Sequence, residues 1–139
     1  MSLQPFHLAI PVRDLAEARR FYGEVLGLPE GRSAAHWVDF DLMGHQLVIH
    51  HAPGHAGTAA FNPVDGESVP VPHFGVVLDM ASWQALAGRL REAGVTFEIE
   101  PTIRFPGEPG EQATLFFRDP SGNALEFKAF RDLGQLFAR

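Results

Sequence analysis

The sequence predicts an α+β protein made of two copies of a βαβββ module, and three observations carry that prediction. A short apolar run beginning at or beside a histidine occurs twice, as Phe6-His7-Leu8-Ala9-Ile10-Pro11-Val12 and as His73-Phe74-Gly75-Val76-Val77-Leu78. Each run leads into a stretch with apolar residues at helical spacing, and then into turn-punctuated segments of strand character. A period of 66 residues separates His7 from His73, so the second half repeats the order of the first.

In the first copy, Asp14 is placed to cap a helix in which Leu15, Ala18, Phe21, Tyr22, Val25 and Leu26 recur at helical spacing. Gly27 suits the left-handed residue that closes such a helix. Three β-like pieces follow at 28–31, 35–42 and 45–51, the last two joined by a Met43-Gly44 turn. In the second copy, residues 81–93 are predicted helical, with Trp83, Leu86 and Leu90 on one face and Gly94 as the stop. Val95–Glu100 and Gln112–Arg118 are predicted strands around a Pro/Gly-rich turn at 106–110. The turn cluster Asp119-Pro120-Ser121-Gly122-Asn123 then leads into a closing strand, Ala124–Phe130. Between the copies, residues 52–72 hold four Pro and three Gly with little periodicity, which marks a linker or a loop covering an active site. The expected organisation is one domain over 1–139, with modules at about 4–51 and 73–131. Each module presents an open sheet with one apolar face, and burying those faces encloses a pocket.

Hydrophobic residues make up 45% and charged residues 20% of the 139, an ordinary globular profile. The formal net charge of −6 argues against nucleic acid as a partner. No apolar run reaches the roughly 18 residues that a membrane span needs, and no basic segment precedes an apolar stretch at the start. A cytoplasmic location and a small-molecule substrate are therefore the expectations. Zero Cys excludes disulfides, thiolate nucleophiles and Cys-ligated metal, while seven His remain. Any metal chemistry would use nitrogen and oxygen ligands.

Side chains alternate along a strand, so His7 shares a face with Ala9 and Pro11, His73 with Gly75 and Val77, and Glu126 with Ala124 and Lys128. Two imidazoles and a carboxylate converging from three strands suit Fe(II), Mn(II) or Zn(II) and leave coordination positions open. Taken singly, a strand His is more often a core or rim residue, and a Glu between Leu125 and Phe127 more often points to solvent. The equivalence of the two His in the repeat favours the metal reading.

Three stretches carry a family resemblance: Phe6–Val12 leading into Asp14 and Ala18–Gly27; Pro72-His73-Phe74-Gly75-Val76; and Phe117-Arg118-Asp119-Pro120-Ser121-Gly122-Asn123-Ala124-Leu125-Glu126-Phe127. Over about residues 4–131 the chain resembles the vicinal oxygen chelate superfamily, which includes glyoxalase I, fosfomycin-resistance transferases, bleomycin-binding proteins and type I extradiol dioxygenases. The resemblance implies two βαβββ modules around a metal pocket, with His7, His73 and Glu126 as ligands of one divalent ion. It also implies a homodimer, with the site completed within one chain or across two.

Laying the two last strands on each other through their turns pairs Glu126 with Val48. In glyoxalase I that place resembles a fourth, carboxylate ligand that moves a proton; valine can do neither. Three ligands without a fourth resemble the extradiol dioxygenases and the fosfomycin-type transferases alike, and a dioxygenase using Fe(II) is the favoured function. The alternatives are a lyase or thiol transferase using Mn(II), Zn(II) or Ni(II), and a metal-free drug- or metabolite-binding module. The alternation that turns Val48 inward also turns Gln46 and His50 inward, which makes His50 the candidate acid–base or substrate-orienting residue. His45, His51 and His55 are expected outside the site. Arg104, Arg118 and Lys128 are the cations available to an anionic substrate, with Arg118 better placed for a salt bridge at the hairpin end. The 52–72 loop and the 107–110 turn are expected as lids, with Glu111 or Gln112 at the entrance. Trp37, Trp83 and Tyr22 are expected to pack.

Overall fold

The computed structural model describes residues 3–139, so residues 1 and 2 of the single domain expected over 1–139 lie outside it. It forms two compact units: one runs up to Gly57 and includes Asp119–Gly122, and the other comprises Thr58–Arg118 and Asn123–Arg139.

The first unit contains β1 (His7–Val12), α1 (Leu15–Arg20), β2 (Glu30–Ala34), β3 (Trp37–Leu42) and β4 (His45–His51). The sheet order is β1-β4-β3-β2, with β1 parallel to β4 and the other pairs antiparallel. Alternation sorts the two faces. Ile10, Val12, Val38, Phe40, Leu47 and Ile49 are buried, whereas His7, Ala9, Pro11, Gln46 and His50 are exposed. Asp14 caps α1 by accepting from the Glu17 N–H at 2.9 Å. The expected helix does not end at Arg20 but widens into a π-helical turn over Phe21–Val25, and Gly27 closes it at φ 73°. The wider turn lets the adjacent rings of Phe21 and Tyr22 both enter the core, edge to face at 5.3 Å. β2 starts later than expected because Leu28 is buried and its N–H still bonds back to the Tyr22 carbonyl at 3.0 Å. Met43 (φ 52°) and Gly44 (φ 94°) make the tight turn between β3 and β4.

A buried polar cluster completes this unit. The Tyr22 hydroxyl donates to Asp119 Oδ2 at 2.7 Å, and the Ser121 N–H donates to Asp119 Oδ1 at 2.9 Å. Arg13 donates from its backbone to Ser121 Oγ (2.8 Å) and from its guanidinium to the Pro120 carbonyl (2.6 Å). Burial, and then the adjacent Asp119 charge, push the Tyr22 phenol well above its ordinary range. Tyr22→Phe leaves the buried carboxylate one donor short and is expected to lower stability by about 1–3 kcal/mol in urea unfolding at pH 7. Because the folded chain holds the phenol neutral, its contribution is complete below about pH 10 and declines above, as the unfolded chain ionises first. Repeating the measurement above pH 10 should show a smaller gap between wild type and variant.

The second unit contains β5 (Ala60–Val64), β6 (Glu67–Val71), β7 (His73–Phe74), β8 (Val77–Leu78), α2 (Met80–Glu92), β9 (Phe97–Arg104), β10 (Gln112–Arg118) and β11 (Ala124–Phe130). Its main sheet runs β7-β11-β10-β9, and β8 also pairs with β11. Asp79 caps α2, accepting from the Ser82 N–H at 2.8 Å. Trp83, Leu86 and Leu90 are buried as the helical spacing predicts, and Trp83 Nε1 donates to the Phe127 carbonyl at 3.0 Å. The first strand of the repeat is interrupted at Gly75-Val76, where a Cβ on Gly75 would fall 1.6 Å from the Glu126 carbonyl oxygen. Only glycine permits so close an approach.

Two expectations need correction. Residues 52–72 are not a structureless linker: β5 and β6 form an antiparallel hairpin, turned by Asp65 (φ 49°) and Gly66 (φ 83°). β9 runs past Glu100 to Arg104, because Pro101 lies on the edge strand, where a missing N–H is tolerated, and the register with β10 shifts there. No helix among the described residues is long and apolar enough to cross a membrane.

The two units repeat one another in register. His7 lies opposite Gln46 on the parallel last strand, and His73 lies opposite Ala124. Two residues further along those last strands stand Val48 and Glu126. The two His, and likewise Val48 and Glu126, therefore hold equivalent places.

Candidate functional site

β11 presents Glu126 and Lys128 on the face opposite its buried Leu125, Phe127 and Ala129, with Phe116 and Thr114 of β10 directly across. A cavity of about 250 Å³ lies on this face of the second unit. Phe116, Ile99, Thr114, Gln112, Glu126 and Lys128 line it from the sheet, and Val64, Asp65, Glu67 and Val69 line it from the β5–β6 hairpin. An ion pair between Arg104 and Asp65 at 2.9 Å ties the hairpin to β9.

At one end of this face, His73 Nε2 stands 3.2 Å from Glu126 Oε1, both side chains being half-buried. His73 Nδ1 lies 2.6 Å from the Pro70 carbonyl, which can only accept, so Nδ1 carries the hydrogen. In the neutral ring, Nε2 then turns a lone pair toward the carboxylate, an arrangement that calls for a proton or a cation between them. Thr114 donates its hydroxyl to Glu126 Oε2, which fixes the carboxylate and leaves Oε1 toward the histidine. Phe116 packs edge-on against the His73 ring at 4.9 Å. Such outer partners are what set tautomer and orientation in metal-binding histidines and carboxylates.

His7 is in the first unit, exposed on β1. Its Nδ1 lies 2.7 Å from Gln46 Oε1, and Gln46 Nε2 donates to Asp39 Oδ2 at 3.2 Å. A carboxylate accepts only, so the amide orientation is fixed and His7 Nδ1 is the donor, again leaving an Nε2 lone pair. His73 Nε2 and Glu126 Oε1 thus fit a divalent ion by chemistry, and His7 offers a donor of the same kind. The structure brings His73 and Glu126 together, and among the described residues no group of three such side chains is assembled as a metal site.

Val48 is buried at the position equivalent to Glu126. His50 is exposed on β4, on the face of Gln46 and Val48, opposite Trp37 and Pro11 in register. Of the other histidines, His45 accepts from the Phe6 N–H at 2.9 Å, and His51 stacks on His36 at 6.3 Å. Arg118 pairs with Glu98 and donates to the Thr58 carbonyl, the hairpin-end role expected of it. Glu111 accepts from the Gly107 N–H and so closes its own turn, while Gln112 lines the cavity. Trp37 is half-buried under the Arg32 guanidinium rather than packed in the core. The supports at Pro70, Thr114 and Asp39 are not apparent from residue type; strand pairing alone could have placed Thr114 across from the last strand.

A family model described as the glyoxalase/bleomycin resistance protein/dioxygenase superfamily matches residues 4–127. Among solved structures, a glyoxalase/bleomycin resistance protein/dioxygenase from Alicyclobacillus acidocaldarius is 32% identical, with 96% of each chain covered and a TM-score of 0.78. A lactoylglutathione lyase from Agrobacterium tumefaciens (23% identical, 96% of each chain, TM-score 0.66) shares the fold. So does a fosfomycin resistance protein from Listeria monocytogenes (17% identical, 97% of this chain and 98% of that one, TM-score 0.69). With the repeated βαβββ units and a match over most of its length, this chain belongs to the glyoxalase/bleomycin resistance protein/dioxygenase superfamily.

Proposed function

We propose that the protein is a metal-dependent enzyme of the extradiol-dioxygenase kind, acting on a small catecholic substrate, with His7, His73 and Glu126 as ligands of one Fe(II). The observation that carries this reading is the facing of His73 Nε2 and Glu126 Oε1 at 3.2 Å, with the other nitrogen of the ring committed to Pro70. His7 is the third ligand by its equivalent place and equivalent tautomer, supplied by the same chain or by a partner copy in a homodimer. An ion held by His7, His73 and Glu126 would supply a Lewis acid for an ionised substrate oxygen and, as Fe(II), a path for electrons from the substrate to O₂. The chain's own residues do the rest. Phe116 and Ile99 offer an apolar wall to a ring, and the β5–β6 hairpin limits access of water. His50 takes the proton from a substrate hydroxyl as a general base. Val48, at the place of a second carboxylate, excludes the two-carboxylate proton transfer of an isomerase.

The test is anaerobic reconstitution with Fe(II), followed by O₂ uptake over a panel of catechols. Uptake that falls by about 100-fold or more in His50→Ala, with iron retained, is the expected result for an acid–base residue. Iron-loaded protein that consumes no O₂ with any catechol overturns the dioxygenase reading. Turnover of an electrophile with glutathione under Mn(II), Zn(II) or Ni(II) would replace it with a transferase.

A further inference from the structure

The cavity that holds Glu126 also holds a cation with nothing to bind. Lys128 is half-buried on the same face of β11, two residues along, which puts its Cα roughly 6–7 Å from that of Glu126. Several of the polar groups that line the cavity with it are engaged. Arg104 is paired with Asp65, and Glu126 is held by Thr114 and His73. Thr114, directly opposite Lys128, spends its hydroxyl on Glu126; Thr102, the next in that row, spends its own on the Glu100 carbonyl. Glu67 lines the cavity from the exposed side of the hairpin, and no ion pair joins it to Lys128. Among the described residues the ammonium of Lys128 has no hydrogen-bond or ion-pair partner. In a chain of net charge −6 that is the less expected for a cation beside acidic residues. Lys128 is half-buried in a cavity that Phe116 and Val69 also line, a setting in which a cation gains from an anionic partner.

We infer that Lys128 is the substrate's anion-recognition residue, and that the substrate carries a carboxylate at the end of the molecule remote from the two oxygens placed at His73 and Glu126. The inference rests on the metal reading for the orientation of the substrate, but not for the presence of the anion site. It predicts a molecule of three parts. A chelating pair of oxygens lies at His73 and Glu126, an apolar or aromatic middle lies over Phe116 and Ile99, and a carboxylate lies at Lys128. Lys128 is then a specificity-determining residue, not a proton carrier.

The probes are 3,4-dihydroxybenzoate and its neutral isostere 3,4-dihydroxybenzamide, titrated calorimetrically into metal-free and Zn(II)-loaded protein. Wild type should bind the carboxylate about tenfold or more tightly than the amide, the preference a charge-assisted hydrogen bond confers. Lys128→Met should abolish that preference while leaving amide affinity and metal content unchanged, and Lys128→Arg should restore it. Equal affinity for the two compounds in wild type, a preference that persists in Lys128→Met, or no binding of either compound in either state overturns the inference. Metal content unaffected by His73→Ala, with the Lys128-dependent preference intact, removes the metal reading and keeps the anion site.

Discussion

His73→Ala is expected to weaken divalent-metal binding by more than about 100-fold, since losing even an outer partner of a ligand commonly costs 10–100-fold and here the ligand itself goes. The variant also frees the Pro70 carbonyl and removes the ring that packs on Phe116, so a thermal melt must accompany the metal measurement. Competition with a chromophoric chelator gives the affinity directly. Glu126→Gln is the companion variant: it keeps the shape opposite Thr114 and removes the charge, and it should lose most of the affinity without loss of fold. Metal retained at wild-type affinity in both variants would show that the ion sits elsewhere.

Gly75→Ala is expected to destabilise the protein by about 3 kcal/mol, at the upper end of overpacking effects. The added methyl would lie 1.6 Å from the Glu126 carbonyl oxygen and 2.6 Å from its carbonyl carbon. Both are backbone atoms, so no rotamer change relieves the contact. The chain at 73–78 must withdraw from β11, which loosens the pairing of His73 with Ala124 and of Val77 with Lys128. The ligand pair should therefore separate as the fold weakens, and metal affinity and urea midpoint should fall together. A wild-type midpoint in this variant would mean that the close approach is not what joins the two strands.

The sequence told most where patterning and burial agreed. β10 and β11 fall at the expected residues because both are central strands with a buried face and clear turns between them. α2 is read within a residue because Trp83, Leu86 and Leu90 repeat at one spacing and Gly94 stops them. The β5–β6 hairpin leaves no apolar periodicity in the sequence, because only Val69 and Pro70 of its ten strand residues are buried. Its one local signal was Asp65-Gly66, a pair suited to a tight hairpin turn. The π-helical turn at Phe21–Val25 is likewise invisible in spacing, since it is two adjacent aromatics sharing one core that calls for it. At the candidate site, residue type and repeat position pointed to His7, His73 and Glu126. What orients them does not follow from type: a backbone carbonyl at Pro70, a threonine across the ladder and a glutamine–aspartate relay are consequences of pairing and register.

The turn at Asp119–Gly122 has a consequence in time. It is made between two strands of the second unit, yet it packs with the first, where Tyr22 and Arg13 bond to it. Tyr22 and Asp119 are separated by 97 residues, which a ribosome adds in about 5–20 s at about 5–20 residues per second. For that interval the nascent N-terminal segment carries a tyrosine hydroxyl without its native acceptor. The bonds of Tyr22 and Arg13 to this turn can form only after the last strand but one has been made.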